Sequence, residues 1–356
     1  MKQLMKGNNA LAEAAVRAGC RLFAGYPITP QSEILEYLSW RLPEAGGEFV
    51  QTESELAGIN MIIGGAATGQ RVMTSSSGPG FSLKQEGISY LASIELPAVI
   101  VDVARFGIGL GDVTVGQGDY FQTTKGGGHG GYFIPVYAPS SIQENADFVV
   151  KAFETAEKYR TPVIVLSDAS IGQMCGSVEL PEQQYPKRDR FDWALGMDGD
   201  RPPMGRKMTD RMYTDFAYEE YVPHICSRYN EMKEKEQLWE EVQAEDAEVL
   251  LVSYGISSRI CKEAVKMARS AGLKLGLIRP MTVWPFPVKA FQKYNGKVKG
   301  YLSVEMIPIP QMIEDVYLAS HGTTPVYAMP TGREIAASED IIENVKAILN
   351  GTKEVY

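Results

Sequence analysis

Long apolar runs are missing from this 356-residue chain. No stretch approaches the roughly 20 consecutive apolar residues that a membrane-spanning helix needs. The amino-terminal region carries Lys2 and Lys6, then Asn8, Asn9 and Glu13, and so lacks the apolar centre of a signal peptide. Positive charge is also scarce: 35 Lys and Arg stand against 44 Asp and Glu, a formal net charge of −9. Nucleic acid and anionic membranes both require a basic face, so neither is expected as a partner. Cysteine is limited to Cys20, Cys175, Cys226 and Cys261, with no C-x-x-C spacing. That pattern excludes a zinc or iron–sulfur reading from this chain and leaves four free thiols. A cytoplasmic location is expected.

What the chain does have is short apolar strands alternating with helices. Strand signals fall at Leu22–Ala24, Arg71–Met73, Ala98–Val103 and Pro162–Leu166, with helical stripes between them, including one from about Ala10 to Gly19. Ser141-Ile142-Gln143-Glu144 is a capping box ahead of the stripe Ala146, Val149, Val150, Phe153 and Ala156. The alternation predicts an α/β fold with parallel sheets covered on both faces. From about Gly176 to Ala247 the pattern lapses into Pro181, Pro186, Asp198-Gly199-Asp200, Pro202, Pro203 and a charged run. This segment reads as a linker or crossing arm in which Glu231–Gln243 is a solvated helix. A second α/β unit follows, with strands at Glu248–Ser253, Leu273–Ile278 and Tyr301–Glu305 and a terminal helix at Ser338–Leu349. The expected domains are therefore 1–178 and 247–356, with 179–246 crossing between them.

The stretch from Gln51 to Gly80 organises the first unit. Glu53 and Glu55 lie where a helix begins, as its dipole favours. Gly64, Gly65, Ala66, Ala67 and Gly69 are poor helix formers but allow a backbone or a flat ring to approach, so this helix is expected to be buried on more than one side. A strand then delivers Thr74, Ser75, Ser76, Ser77, Gly78, Pro79 and Gly80 to its carboxyl end, where open α/β sheets bind ligands.

Other candidates surround it. Thr29 is placed as an N-cap with Pro30 at the first helical position, and a threonine hydroxyl beside free N–H groups is also a carboxylate cradle. Arg105 closes a buried strand; it either pairs with a surface acid or grips a substrate carboxylate through its planar fork. The segment from Phe106 to Gly131 is long and glycine-rich, as functional loops are. Its Gly107-Ile108-Gly109 with Gly111 lacks the acidic partner of a dinucleotide fingerprint. His129 reads as a solvated loop residue, with acid–base chemistry as the alternative. Ser253-Tyr254-Gly255-Ile256 reads as a tight strand-to-helix turn, with anion binding at the helix N-terminus as the alternative.

Several of these segments together resemble one family. Gly25-Tyr26-Pro27-Ile28-Thr29-Pro30, Glu53-Ser54-Glu55, Ser77-Gly78-Pro79-Gly80-Phe81-Ser82, Ala104-Arg105, Gln117-Gly118-Asp119, Trp284-Pro285-Phe286-Pro287 and Val304-Glu305-Met306 occur in the order of the 2-oxoacid:ferredoxin oxidoreductases. The resemblance is to their alpha-type subunit, and it covers nearly the whole chain. It implies two parallel-sheet domains, a thiamin diphosphate pyrimidine-binding fold followed by a transketolase-C-terminal-like fold. The stretch Gly118–Gly131 looks most like the branched-chain (2-oxoisovalerate) members, with 2-oxoglutarate and pyruvate as alternatives.

The resemblance also implies roles. Glu55 matches the carboxyl that hydrogen-bonds the pyrimidine ring nitrogen and promotes the tautomer that activates thiamin diphosphate; Glu53, two positions away, is its competitor. Ser76, Ser77 and Gly78 flank the pyrimidine, and Thr29 and Arg105 hold the 2-oxoacid carboxylate. The chain has no Gly-Asp-Gly…Asn motif for magnesium and diphosphate. The implied Mg2+ and diphosphate half-site therefore lies on a beta-type partner, and the iron–sulfur clusters on ferredoxin-like and gamma-type subunits. The expected reaction turns a 2-oxoacid, best read as 3-methyl-2-oxobutanoate, and coenzyme A into acyl-CoA and CO2 with reduction of ferredoxin. A non-oxidative thiamin-dependent transferase or decarboxylase subunit is the rival reading, and a regulatory subunit with a dead site is a third.

Overall fold

A computed structural model describes residues 2–107, 109–110, 112–183, 194 and 218–356. The first half runs β1 (Lys2–Lys6), α1 (Gly7–Arg17), β2 (Leu22–Gly25), α2 (Ser32–Glu44), β3 (Glu48–Gln51), α3 (Glu55–Ala67), β4 (Val72–Ser76), α4 (Gly78–Ser93) and β5 (Ala98–Ala104). It continues through α5 (Tyr120–Thr124), β6 (Val136–Tyr137), α6 (Ile142–Tyr159), β7 (Pro162–Asp168), α7 (Ala169–Gln173) and β8 (Cys175–Glu179). The second half contains α8 (Tyr218–Lys235), β9 (Trp239–Val242), β10 (Val249–Val252), α9 (Gly255–Ser270), β11 (Leu275–Pro280) and β12 (Thr282–Trp284). It ends with α10 (Val288–Gln292), β13 (Gly300–Glu305), α11 (Ile313–Ser320), β14 (Val326–Pro330) and α12 (Ser338–Leu349).

Two sheets carry the architecture, as expected for an α/β protein. The larger has the order β12-β6-β7-β5-β4-β2-β3, and every pairing in it is parallel except that of β12 with β6. The smaller has the order β14-β13-β10-β11-β9, with β9 antiparallel at its edge. Helices cover both faces of the larger sheet. Residues of α1, α2 and α6 build one core with Phe23, Met73, Val99, Val101 and Val163. Residues of α3 and α4 build the other with Ile100, Ile164 and Leu166, and this core runs on into Leu250, Val252 and Tyr301 of the second unit. Alternate residues of β5 and β7 thus feed opposite cores, as the period of two in a strand requires.

Three local expectations need correction. Thr29 does not cap a helix, because α2 begins at Ser32 and Gln31 holds the cap position; Thr29 and Pro30 lie in the preceding turn. The charged segment Glu231–Gln243 is not one solvated helix. Instead α8 ends at Lys235, and Trp239–Val242 forms the edge strand β9. Its charges are satisfied on the sheet edge: Glu240 accepts from Arg279 Nε at 2.7 Å, and Glu241 from Tyr294 Oη at 2.6 Å and Lys293 Nζ at 2.7 Å. Thirdly, only one face of α3 is buried among the described residues. Glu55, Gly58, Ile59, Ile62, Ile63, Ala66 and Ala67 are buried at helical spacing, whereas Leu56 and Met61 are exposed. Pro186, Asp198–Asp200, Pro202 and Pro203 of the expected crossing arm lie outside the described residues, as do Ile108 and Gly111.

The two units are fastened by buried polar contacts. Arg279 of β11 pairs with Glu144 of α6 at 2.7 Å while also pairing with Glu240. Asp168, at the end of β7, accepts from the backbone N–H of Ile171 and of Ile256 in α9, both at 2.9 Å.

Candidate active site

Parallel pairing brings the ends of β2, β4, β5 and β7 to one edge of the larger sheet, and the predicted residues meet there. Ser54 caps α3, its hydroxyl accepting from Ala57 N at 3.2 Å. Glu55 is thereby set in the first turn with its side chain inward, 6% exposed, whereas Glu53 faces solvent. The chain leaves β4 and enters α4 through Gly78, whose φ of +47° few side chains tolerate. Two residues later, a Cβ at Gly80 would collide with both Glu55 Oε1 and Ser76 Oγ. The carboxyl and the hydroxyl therefore face the same spot on the backbone.

Arg105 is buried at the end of β5, its Nη1 donating to the Thr29 carbonyl at 3.0 Å. A Cβ at Gly78 would stand 3.0 Å from Arg105 Nε. Glu55, Ser76, Ser77, Gly78, Arg105 and Thr29 are thus brought together, although Thr29 is joined through its carbonyl. Ser76 Oγ, Ser77 Oγ and Arg105 Nε are buried without a hydrogen-bond partner among the described residues. Buried polar atoms are ordinarily paired, so this cluster suits a polar ligand bounded by small residues. A flat aminopyrimidine flanked by hydroxyls and met by a carboxyl fits that donor set.

Three further polar residues of this edge received no role from the sequence. Asp119 Oδ2 accepts from the backbone N–H groups of Gly78 at 3.3 Å and Arg105 at 3.4 Å, and Oδ1 accepts from Gln122 Nε2. Burial pushes its carboxyl up to about 6 despite those bonds. Asp102 is fully buried with neither oxygen partnered among the described residues, and burial together with the neighbouring Asp119 raises its carboxyl well above the usual range. Lys84 of α4 is fully buried, donating to Thr74 Oγ1 at 3.0 Å and the Glu55 carbonyl at 3.4 Å. Burial lowers its ammonium to about 8, which the nearby Glu55 partly offsets. The available signal was a charged residue inside an apolar pattern: Asp102 interrupts a run of valines, and Lys84 sits on the buried face of α4.

His129 is exposed, its ring edge-on to Tyr90. No group of three or more His, Cys, Asp or Glu able to hold a metal occurs among the described residues. Nor, among those residues, is any helix long and apolar enough to cross a membrane.

The family described as pyruvate flavodoxin/ferredoxin oxidoreductase, thiamine diphosphate-binding, matches residues 13–239, and the pyruvate:ferredoxin oxidoreductase core domain II matches residues 247–339. The chain belongs to the 2-oxoacid:ferredoxin oxidoreductases. It is a subunit of such an enzyme, an oxidoreductase rather than a non-oxidative transferase, and carries the family's thiamin diphosphate-binding domain. It is 45% identical to ketoisovalerate oxidoreductase subunit VorB of Methanothermobacter thermautotrophicus, over 99% of each chain. Its identity to 2-oxoglutarate synthase subunit KorA of Methanothermobacter marburgensis is 37%, over 96% of this chain and 97% of the relative. Among solved structures, it resembles a 2-oxoglutarate:ferredoxin oxidoreductase from Magnetococcus marinus with 2-oxoglutarate, coenzyme A and succinyl-CoA bound (TM-score 0.87, 25% identity). That match covers 98% of this chain and 65% of the other. A split-gene transketolase shares the fold at 13% identity and a TM-score of 0.60, covering 98% and 99%.

Proposed function

We propose that this oxidoreductase subunit supplies the pyrimidine half of a shared thiamin diphosphate site and acts on 3-methyl-2-oxobutanoate. The observation that carries the reading is the meeting of Glu55 Oε1 and Ser76 Oγ over Gly80, with Arg105 beside Gly78. Glu55 would hold a proton against a pyrimidine nitrogen, with Ser76, Ser77 and Gly78 as the ring's wall. Arg105 Nε lies beside Gly78 without an acceptor among the described residues, where it can donate to the oxoacid carboxylate while Nη1 stays anchored on Thr29. When bound, thiamin diphosphate supplies the carbon nucleophile that decarboxylation of a 2-oxoacid requires. The acyl group passes to coenzyme A and the electrons to ferredoxin.

The other half of the site is assigned to a beta-type partner that binds diphosphate and Mg2+, and the iron–sulfur clusters to ferredoxin-like and gamma-type subunits. Leu56 and Met61 of α3 and Leu83 and Tyr90 of α4 are 43–55% exposed on adjacent helices, next to Glu55. Exposed apolar patches of this kind mark association surfaces, so the beta-type partner is placed there. The choice of branched-chain substrate leans on the two VorB relatives at 45% and 47% identity, above the KorA relatives at 36–38%. Those KorA relatives make 2-oxoglutarate the second reading.

The test is co-expression with the neighbouring subunits and an anaerobic screen of 2-oxoacids with coenzyme A and a low-potential acceptor. The expected result is the highest kcat/KM with 3-methyl-2-oxobutanoate. A preference for 2-oxoglutarate would transfer the assignment to the second reading, and carboligation without an acceptor would overturn both.

A further inference from the structure

One strap of chain connects the second unit to the site. Gln117 donates from Nε2 to the Tyr254 carbonyl at 2.9 Å, and its Oε1 accepts from Ser257 Oγ at 3.0 Å and Met306 N at 2.8 Å. Its backbone N–H reaches the Met306 carbonyl at 2.9 Å, and Gly118 N reaches the Arg105 carbonyl at 3.0 Å. Gln311, which precedes α11, accepts from Phe121 N at 2.8 Å and donates to the Gly118 carbonyl at 3.2 Å. Between these anchors stands Asp119, fully buried, with one oxygen shared by the N–H groups of Gly78 and Arg105. Gly78 and Arg105 belong to different β-α connections, and among the described residues Asp119 Oδ2 is the acceptor they have in common.

We propose that Asp119 is a positioning residue: it fixes the spacing between the Gly78 turn and Arg105, and Gln117 lets the second unit set that spacing. At 3.3 and 3.4 Å each bond is long, but one oxygen accepting from both N–H groups ties their positions together, and a group buried in one arrangement transmits displacement instead of absorbing it. Substrate carboxylate affinity would then depend on residues that never touch the substrate. The inference rests on Arg105 as the carboxylate-binding residue.

The experiment uses the assembled enzyme and 3-methylbutanoate, a carboxylate that lacks the 2-oxo group and so does not react, titrated by calorimetry. Asp119→Ala is expected to weaken its binding by about tenfold, as two modest hydrogen bonds lost together would. Asp119→Asn keeps an oxygen for both N–H groups and is expected to restore binding to within about threefold. Gln117→Ala, whose side chain contacts the second unit and not the site, is expected to weaken binding by about threefold or more. Wild-type binding in a folded Asp119→Ala enzyme would overturn the positioning role. A lowered melting temperature with unchanged binding in Gln117→Ala would overturn the coupling, and Gln117→Ala decides alone if Asp119→Ala does not assemble. Failure of the substrate assignment shows separately, as absent turnover of 3-methyl-2-oxobutanoate by the wild-type enzyme.

Discussion

The carboxyl edges of the two parallel sheets are made of the same parts, a strand, a tight turn and a helix, yet they leave their polar groups satisfied to different degrees. In the second unit, Glu305 accepts from the N–H groups of Gln311, Met312 and Ile313 and from the Ser303 hydroxyl, all at 2.8–3.0 Å. Ser253, at the end of β10, donates to the Val304 carbonyl at 2.8 Å. In the first unit, Ser76, Ser77, Asp102 and Arg105 Nε are buried without partners among the described residues. An unpaired buried polar group costs stability, so the first edge, with four such side chains, carries more of that cost than the second, where Tyr254 Oη is also buried without a partner among the described residues. The fold alone does not make a site; the unpaired donor set at one of its two edges does.

The largest effect that would sharpen this contrast comes from Glu55→Gln in the assembled enzyme. Turnover is expected to fall at least ~10²-fold, the scale of a lost acid–base group, with the melting temperature unchanged because the shape is kept. Retained turnover would remove Glu55 from the site. Next, Arg105→Lys replaces a planar fork by a point charge. Its kcat/KM for the 2-oxoacid is expected to fall by ~10–100-fold, mainly through KM, and a pure kcat effect would argue against carboxylate binding.

At the second edge the prediction is reversed. Glu305→Gln leaves a buried N–H without its acceptor and is expected to lower stability by about 1–3 kcal/mol, while turnover per folded molecule stays the same. If turnover fell and denaturant midpoints did not, the second edge would also be a site and the contrast would fail.

The smallest effect concerns Asp168, which clamps the two edges together. Burial raises its carboxyl to about 6 from an ordinary value of 3.8. The folded protein therefore holds that proton more firmly than the unfolded chain, and the resulting stability is complete below about pH 3.8 and lost as pH rises through 6. Between pH 5 and pH 7 the stability of the wild type relative to Asp168→Asn should fall by about 1 kcal/mol. A rise across that interval in chemical denaturation would show that Asp168 is held ionised.

Much of the scaffold was legible in local pattern. Strands of the larger sheet were read at Leu22, Ala98 and Pro162 because continuous apolar runs mark strands buried on both faces, and the terminal helix Ser338–Leu349 was read with its observed bounds. The misses have physical causes. Glu48–Gln51 and Val136–Tyr137 are too short to display a period, and Thr282–Trp284 lies within a proline-rich connection. Trp239–Val242 looked like solvated helix because its glutamates find their cations and hydroxyl donors only after the sheet edge forms. Residue type alone makes Thr29 a helix cap, whereas the turn delays the helix to Ser32.

By itself, the sequence determined the alternation of strands and helices, the small-residue loop at a strand's carboxyl end and the family, because periodicity and motif order are local properties. The family resemblance favours Glu55 over Glu53, and tertiary structure gives the physical reason that Glu55 is the buried one, since burial depends on the phase with which α3 meets α4 and the sheet. It also gave Asp119 its place: its two N–H donors lie 41 and 14 residues away in the chain. Only the parallel order of β4 beside β5 brings their ends together, and no local pattern encodes which strand will be the neighbour.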